Sequence, residues 1–178
     1  MEVIENMMNM EPEFVYMDKK YLIGVASMVN LLDMGKPEPV LWGLFYNLDS
    51  KLKIERNAQY PRNYELEIWS EKEFSNADDY KSEGFIYMVG AEVNDLNEIP
   101  PGCIGKTLPA AQYAVFRYTG KPIYIMKAYV YIFQHWFPKS DYTMPYNYNF
   151  SYYRDCDTPH DPKGVIDICM PIQKKKVL

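Results

Sequence analysis

Hydrophobic and polar positions along the chain fall into short β-like runs separated by two longer helical ones. Tyr21–Met28 (YLIGVASM) is short, apolar and β-leaning. Tyr64–Trp69 (YELEIW) alternates polar and apolar residues, the period of a half-buried strand, and Phe85–Val93 (FIYMVGAEV) reads as its hairpin partner after a long loop. Between the first two runs, Leu41, Leu44, Phe45, Leu48 and Leu52 recur at helical spacing. Pro39 lies just ahead, where proline suits a helix start, so the spacing predicts a helix over 40–52. The second half repeats the order. Tyr113–Thr119 reads as a strand, Ile123–Phe137 as a helix ended by Pro138, and Phe150–Arg154 and Val165–Ile172 as two more strands. The clearest breaks are KPEP (36–39), SNADD (75–79), EIPPG (98–102) and DTPHDPKG (157–164). No Gly-, Ser- or Pro-rich linker divides the chain.

The order strand, helix, strand, strand therefore occurs twice, which points to internal duplication. LEIWSE (66–71) lies over FSYYRD (150–155) at an offset of 84, pairing Leu66 with Phe150 and Glu67 with Ser151. EGFIYMVGAEV (83–93) lies over KGVIDICMPIQ (163–173) at an offset of 80, pairing Tyr87 with Asp167. The expected fold is α+β: two β-α-β-β units related by a pseudo-twofold axis, with antiparallel sheets and a cleft between them. The units would cover about 12–97 and 106–173 of a single domain, 1–178.

Strand alternation sorts the side chains into faces. Leu66 and Ile68 share one face with Phe150 and Tyr152; Glu65, Glu67 and Trp69 share the other with Ser151 and Tyr153. Helices should cover the apolar face, which leaves the second set on an uncovered face. There carboxylates would stand beside aromatic rings, an arrangement suited to an apolar cation through charge and cation–π attraction. The bland alternative is that Glu65 and Glu67 face solvent. Tyr87, Asp167 and Cys169, on the second pair of strands, complete the set of candidate ligand-binding residues.

Composition adds to this picture. Of 178 residues, 28 are aromatic and 17 of those are tyrosines, each an apolar ring with a polar tip fit for a core or an amphipathic pocket wall. The net charge of −5 argues against direct nucleic-acid binding, which needs a basic face. No apolar run is long enough to span a membrane. The acidic start MEVIENMMNMEPE lacks the basic region of a signal peptide. Cys103, Cys156 and Cys169 form an odd set without a CxxC pair, so free thiols and a cytoplasmic location are expected.

At these residues the sequence resembles the GyrI-like effector-binding domains, which occur alone and as ligand-sensing modules of multidrug-responsive transcription regulators. The stretches LPAAQYAVFRYTG (108–120), WFPKS (136–140), FSYYRD (150–155) and VIDICMPI (165–172) carry the resemblance. The helix with Trp42 and FIYMVGAEV followed by EIPPG extend it over about 12–173. The resemblance implies two side-by-side β-α-β-β units and a cleft that prefers lipophilic, often cationic or aromatic, small molecules. FSYYR departs from the family pattern, which usually reads Phe-Glu-x-Tyr; Ser151 stands where the family carries its central glutamate. Glu67, its mirror by the offset, could supply that charge, and Tyr153 matches the family's tyrosine.

The remaining chemistry is thin. CDTPHD (156–161) reads as a polar turn in preference to a metal site, and no metal or cofactor is implied. His135 reads as a core or boundary residue, and Lys174–Lys176 as a solvated end. The sequon at Asn149 falls inside a strand and is discounted. No nucleophile elbow, phosphate loop or dinucleotide fingerprint is present. The function expected is effector sensing or sequestration of a small molecule without turnover, with a transcription regulator or another protein as partner, and no helix-turn-helix module outside the repeats. One alternative is a hydrolase of reactive electrophilic compounds using Glu67 with Tyr153 or Trp69. Another is a protein-binding inhibitor of the gyrase-inhibitor type.

Overall fold

A computed structural model describes residues 10–29, 37–56, 63–70, 84–154 and 164–175. In chain order the elements are β1 (Glu13–Met17), β2 (Lys20–Val29), α1 (Pro37–Leu52), β3 (Asn63–Ile68), β4 (Phe85–Val93), β5 (Ile104–Leu108), β6 (Ala111–Gly120), α2 (Met126–Tyr131, continued by Ile132–Trp136 and Phe137–Lys139), β7 (Tyr142–Thr143), β8 (Tyr148–Tyr153), β9 (Gly164–Pro171) and β10 (Gln173–Lys174). Every strand named on the sequence pattern, and both helices, form within a few residues of their expected bounds, so the α+β antiparallel class holds. The edge strands β1 (EFVYM) and β5 (IGKTL), each five residues long, are not among the strands expected from the pattern. The breaks at 75–79 and, but for Gly164, 157–164 lie outside the described residues, as does the CDTPHD stretch.

Eight strands form one antiparallel sheet in the order β1-β6-β9-β8-β3-β4-β2-β5. Outward from the central β8–β3 pair the order is β3-β4-β2-β5 on one side and β8-β9-β6-β1 on the other, so the two halves are topologically equivalent and joined edge to edge. The pairings refine the offsets. With Leu66 placed on Phe150, the β3–β4 and β8–β9 registers place Val89 on Met170, an offset of 81. An offset of 80 is thus one residue out. A slip of one carries a side chain to the opposite face, and Tyr87 corresponds to Ile168 instead of Asp167.

Two short connections force the sheet to curl. β6 and β5 stand six strand spacings apart, about 29 Å in a flat sheet, yet only Pro109 and Ala110 join them. Three Cα steps reach no more than about 11 Å. Asp18 and Lys19 join β1 to β2 under the same constraint. Gly24 and Gly90 face each other across β2–β4. A Cβ on Gly24 would lie 2.0 Å from the Val89 carbonyl oxygen, so only glycine permits this approach.

The curl creates two cores. Its inner face holds Leu22, Tyr64, Leu66, Met88, Tyr113 and Phe150, all nearly or fully buried. Its outer face holds Val25, Tyr87, Val89, Phe116 and Ile168, under Leu41, Trp42 and Phe45 of α1 and Ala128, Tyr129 and Ile132 of α2. The helices therefore cover the face that carries Glu65 and Glu67, while Leu66, Ile68, Phe150 and Tyr152 point into the curl. This reverses the expected assignment. Alternation sets which residues share a face, but the short β5–β6 and β1–β2 connections let the sheet bury its apolar side against itself.

The two helices among the described residues end differently. Lys53, at φ 50°, terminates α1 in the left-handed conformation. A 3₁₀ turn (Pro122–Tyr124) leads into α2, which is α-helical over Met126–Tyr131, widens to a π turn over Ile132–Trp136, and closes with Phe137–Lys139. Pro138 does not end the helix; it sits in the last turn. Its ring would clash with the carbonyl four residues back in a regular helix, and the wider turn precedes it. Lys175 is bonded to that helix end, its Nζ donating to the carbonyls of Ser140 (2.7 Å) and Phe137 (3.3 Å). Thus the chain to Lys175 is anchored and not merely solvated. His135 is exposed on α2, not in the core.

Candidate functional site

The β3–β8 register sets Glu65 directly opposite Ser151 and Glu67 opposite Asn149. On the other side of β3, Glu67 stands opposite Tyr87. All of these side chains rise toward the helices, where Trp42 of α1 and Tyr129 of α2 come down to meet them.

Glu65 is the hub. Its Oε1 accepts hydrogen bonds from the Trp42 indole Nε1 (2.9 Å), the Tyr153 hydroxyl (2.9 Å) and the Tyr87 hydroxyl, and its Oε2 accepts from Ser151 Oγ (3.3 Å). A carboxylate offers about four acceptor positions, and here neutral donors fill them. No lysine, arginine or histidine among the described residues pairs with it. The rings are organised too: Trp42 meets Tyr153 edge-on at 5.2 Å and lies 5.5 Å from Tyr46.

Glu67 lies one strand period away and is 8% exposed. Its Oε2 accepts from Asn149 Nδ2 at 3.0 Å. Asn149 is fully buried, and no described group donates to its Oδ1. Tyr129 of α2 is buried close to the pair. Burial and then the charges of Glu67 and Glu65 push its hydroxyl well above the ordinary tyrosine range, so it stays protonated.

Of the candidate residues, Glu65, Glu67, Tyr87, Ser151 and Tyr153 converge. Trp69 shares their side of β3 but stands about 13 Å along the strand from Glu65, packed on Phe85 with ring centroids 4.4 Å apart and planes tilted by 30°. Asp167 and Cys169 point into the curl instead, a consequence of the one-residue slip in the offset. There Asp167 accepts from Arg117 Nε (3.0 Å) and Arg154 Nε (2.5 Å) and is wholly buried. Burial would raise its pKa, but the hydrogen bonds from Arg117, Tyr152 and Arg154 outweigh that and hold it below the usual carboxylate range. Cys169 is a buried thiol, pushed well above its ordinary value by burial and by Asp167.

Trp42, Tyr129 and Asn149 were absent from the candidate set. Alternation along β8 puts Asn149 on the same face as Ser151 and could have found it. Trp42 and Tyr129 depend on which face the helices cover, so no strand pattern could have placed them.

A separate surface groove of about 550 Å³ lies at the far end of α1, between Leu52, Ile54, Val93 and the acidic side chains of Glu55, Asp95 and Glu98. It does not touch the Glu65 cluster. Among the described residues no His, Cys, Asp and Glu side chains gather into a metal-binding group, and no helix is long and apolar enough to cross a membrane.

Comparison with solved structures gives the same fold at low identity. SAV2435, solved bound to tetraphenylphosphonium, is 19% identical; the similarity covers 92% of this chain and 94% of that one, with a TM-score of 0.68. An integron cassette protein from Vibrio cholerae is 14% identical over 92% of this chain and 96% of that one, TM-score 0.64. EcmrR, solved in a complex with DNA, is 15% identical over 96% of this chain and 60% of that one, TM-score 0.61. No curated protein matches the sequence. The model of the GyrI-like small molecule binding domain matches residues 10–173, and the chain belongs to that family.

Proposed function

We propose that this domain binds a lipophilic aromatic cation at the Glu65 cluster, between α1 and α2, and acts by sensing or sequestering it. The observation that carries this reading is the balance of charge at Glu65. Its carboxylate is held by an indole, two phenols and a hydroxyl. Neutral donors orient a negative charge without cancelling it, so the site keeps a full charge among aromatic rings. A cation that shields its charge with apolar groups meets both requirements. The tetraphenylphosphonium carried by SAV2435 is such a cation. Glu65 reaches Ser151 Oγ, the position where the resemblance places the family's acidic residue, so the opposite strand supplies the charge that Ser151 lacks. Cys103 and Cys169 are free thiols, which fits a cytoplasmic location.

The test is calorimetric titration with methyltriphenylphosphonium and with neutral triphenylphosphine oxide. The cation should bind tighter by about tenfold or more, and Glu65→Gln should erase most of that difference while the domain stays folded. Equal affinity for the two compounds in the wild-type protein would overturn the reading.

A further inference from the structure

The two acidic positions of the site are not alike. Glu65 has its acceptor positions filled by neutral donors, so it attracts a cation by charge alone and asks for no hydrogen. One strand period away, Asn149, bonded to Glu67, is short of a donor. Asn149 is fully buried, its Nδ2 donates to Glu67 Oε2 at 3.0 Å, and no described group donates to its Oδ1. The amide cannot turn over to escape this. The reverse orientation would set Oδ1 against the Glu67 carboxylate, two acceptors face to face. A buried acceptor without a donor is costly and uncommon in a native fold. Glu67 beside it keeps 8% of its surface open, so the pair lies just below the surface.

We propose that the cation this site takes carries an N–H, as a protonated amine or amidinium does and a quaternary centre does not, and donates it to Asn149 Oδ1 beside Glu67. This rests on the cation-binding reading above and sharpens it to a ligand class. The charged head points toward β3 and β8, beside the Glu67–Asn149 pair, and the aromatic body lies toward Trp42, Tyr87 and Tyr153. Bonding to Asn149 Oδ1 satisfies the buried acceptor, and a trimethylated head would leave it unsatisfied and press methyl groups against it.

Naphthylmethylammonium and naphthylmethyltrimethylammonium, with naphthylmethanol as the neutral comparator, separate the possibilities. The ratio of the two cations' affinities is measured in the wild type, in Asn149→Leu and in Asn149→Ala. Water holds the two heads differently, but that difference is the same for all three proteins and cancels in the comparison. The ratio should shift toward the trimethylammonium by about tenfold in both variants. The wild-type protein gives a second readout that needs no substitution: the side-chain amide resonances of Asn149 should move with the ammonium and stay with the trimethylammonium. A ratio that does not shift, or amide resonances that respond alike to both, overturns the N–H requirement, and is the result expected if a water molecule occupies the acceptor. If cations still outbind naphthylmethanol in that case, the cation site stands without it. If neither cation outbinds naphthylmethanol, the site reading falls and takes this inference with it.

Discussion

The two faces of the curled sheet both hold acidic residues out of bulk water, and they hold them in opposite ways. On the inner face Asp167 lies between Arg117 and Arg154, and Glu92 accepts from Lys20 Nζ (3.1 Å) and the Tyr64 hydroxyl (2.5 Å). Each of these charges has a cationic partner, so the pairs are closed and serve the fold. On the helix-covered face Glu65 is surrounded by hydroxyls and an indole, with no cationic partner among the described residues. A charge balanced by dipoles is oriented, not cancelled. That distinction separates a carboxylate that holds a protein together from one prepared to receive something.

Substitutions on the inner face should cost stability and leave binding alone. The largest effect should come from Phe150→Ala. Phe150 is fully buried against Tyr64 and Tyr113, with ring centroids at 5.9 and 5.3 Å. Loss of that ring should cost about 3–5 kcal/mol. Urea melts would measure it, and the folded fraction should still bind methyltriphenylphosphonium with unchanged affinity. Weakened binding at full folding would show that the two faces are coupled.

Asp167→Asn should cost less, about 1–3 kcal/mol, because Arg117 and Arg154 are partly exposed and can turn to water. It also carries a pH signature. The folded-state pKa of Asp167 lies below its unfolded value. Its contribution is therefore complete above the unfolded carboxyl value of about 4, and is lost as pH falls through the depressed folded value. Urea melts from about pH 6 down to pH 3 should show a shallower acid decline for Asp167→Asn than for the wild type. Parallel curves would mean that Asp167 is not held by its arginines.

The strands and helices were legible in the sequence because each carries a period that burial enforces. YELEIW announces β3 by alternation, and Leu41, Phe45, Leu48 and Leu52 announce α1. The side of the sheet that the helices cover was not legible. It follows from Pro109-Ala110 and Asp18-Lys19, two-residue connections whose meaning depends on a strand order that only the fold supplies. That is why alternation brings Glu65, Glu67, Tyr87, Ser151 and Tyr153 to one face, as the fold has them, yet does not show that the helices cover it or that Trp42 and Tyr129 come down on it. Asp167 and Cys169 were drawn in by a single-residue slip. In VIDICMPI only Asp167 interrupts an apolar run, and the two alignments set it against Tyr87 or Ile86, both largely apolar, so the hydrophobic pattern does not choose between them.

The smallest effect separates the middle of β3 from its end, both on the helix-covered face. Trp69 was a candidate for the aromatic wall because it shares alternation with Glu65 and Glu67. Its ring instead packs at a tilt on Phe85, centroids 4.4 Å apart, and its backbone N–H donates to the Asn147 carbonyl at 2.8 Å, tying the end of β3 to the chain entering β8. Asn147 Nδ2 donates in return to the Trp69 carbonyl. Those backbone bonds do not depend on the indole. Trp69→Phe keeps a ring over Phe85 and gives up only part of the buried area, so it should cost no more than about 1 kcal/mol. Lying about 13 Å along the strand from Glu65, it should leave the preference for methyltriphenylphosphonium over triphenylphosphine oxide within about twofold of the wild type. Melting temperature and the pair of affinities check both parts. A large loss of cation preference at an unchanged melting temperature would extend the site to the end of β3 and return Trp69 to the wall.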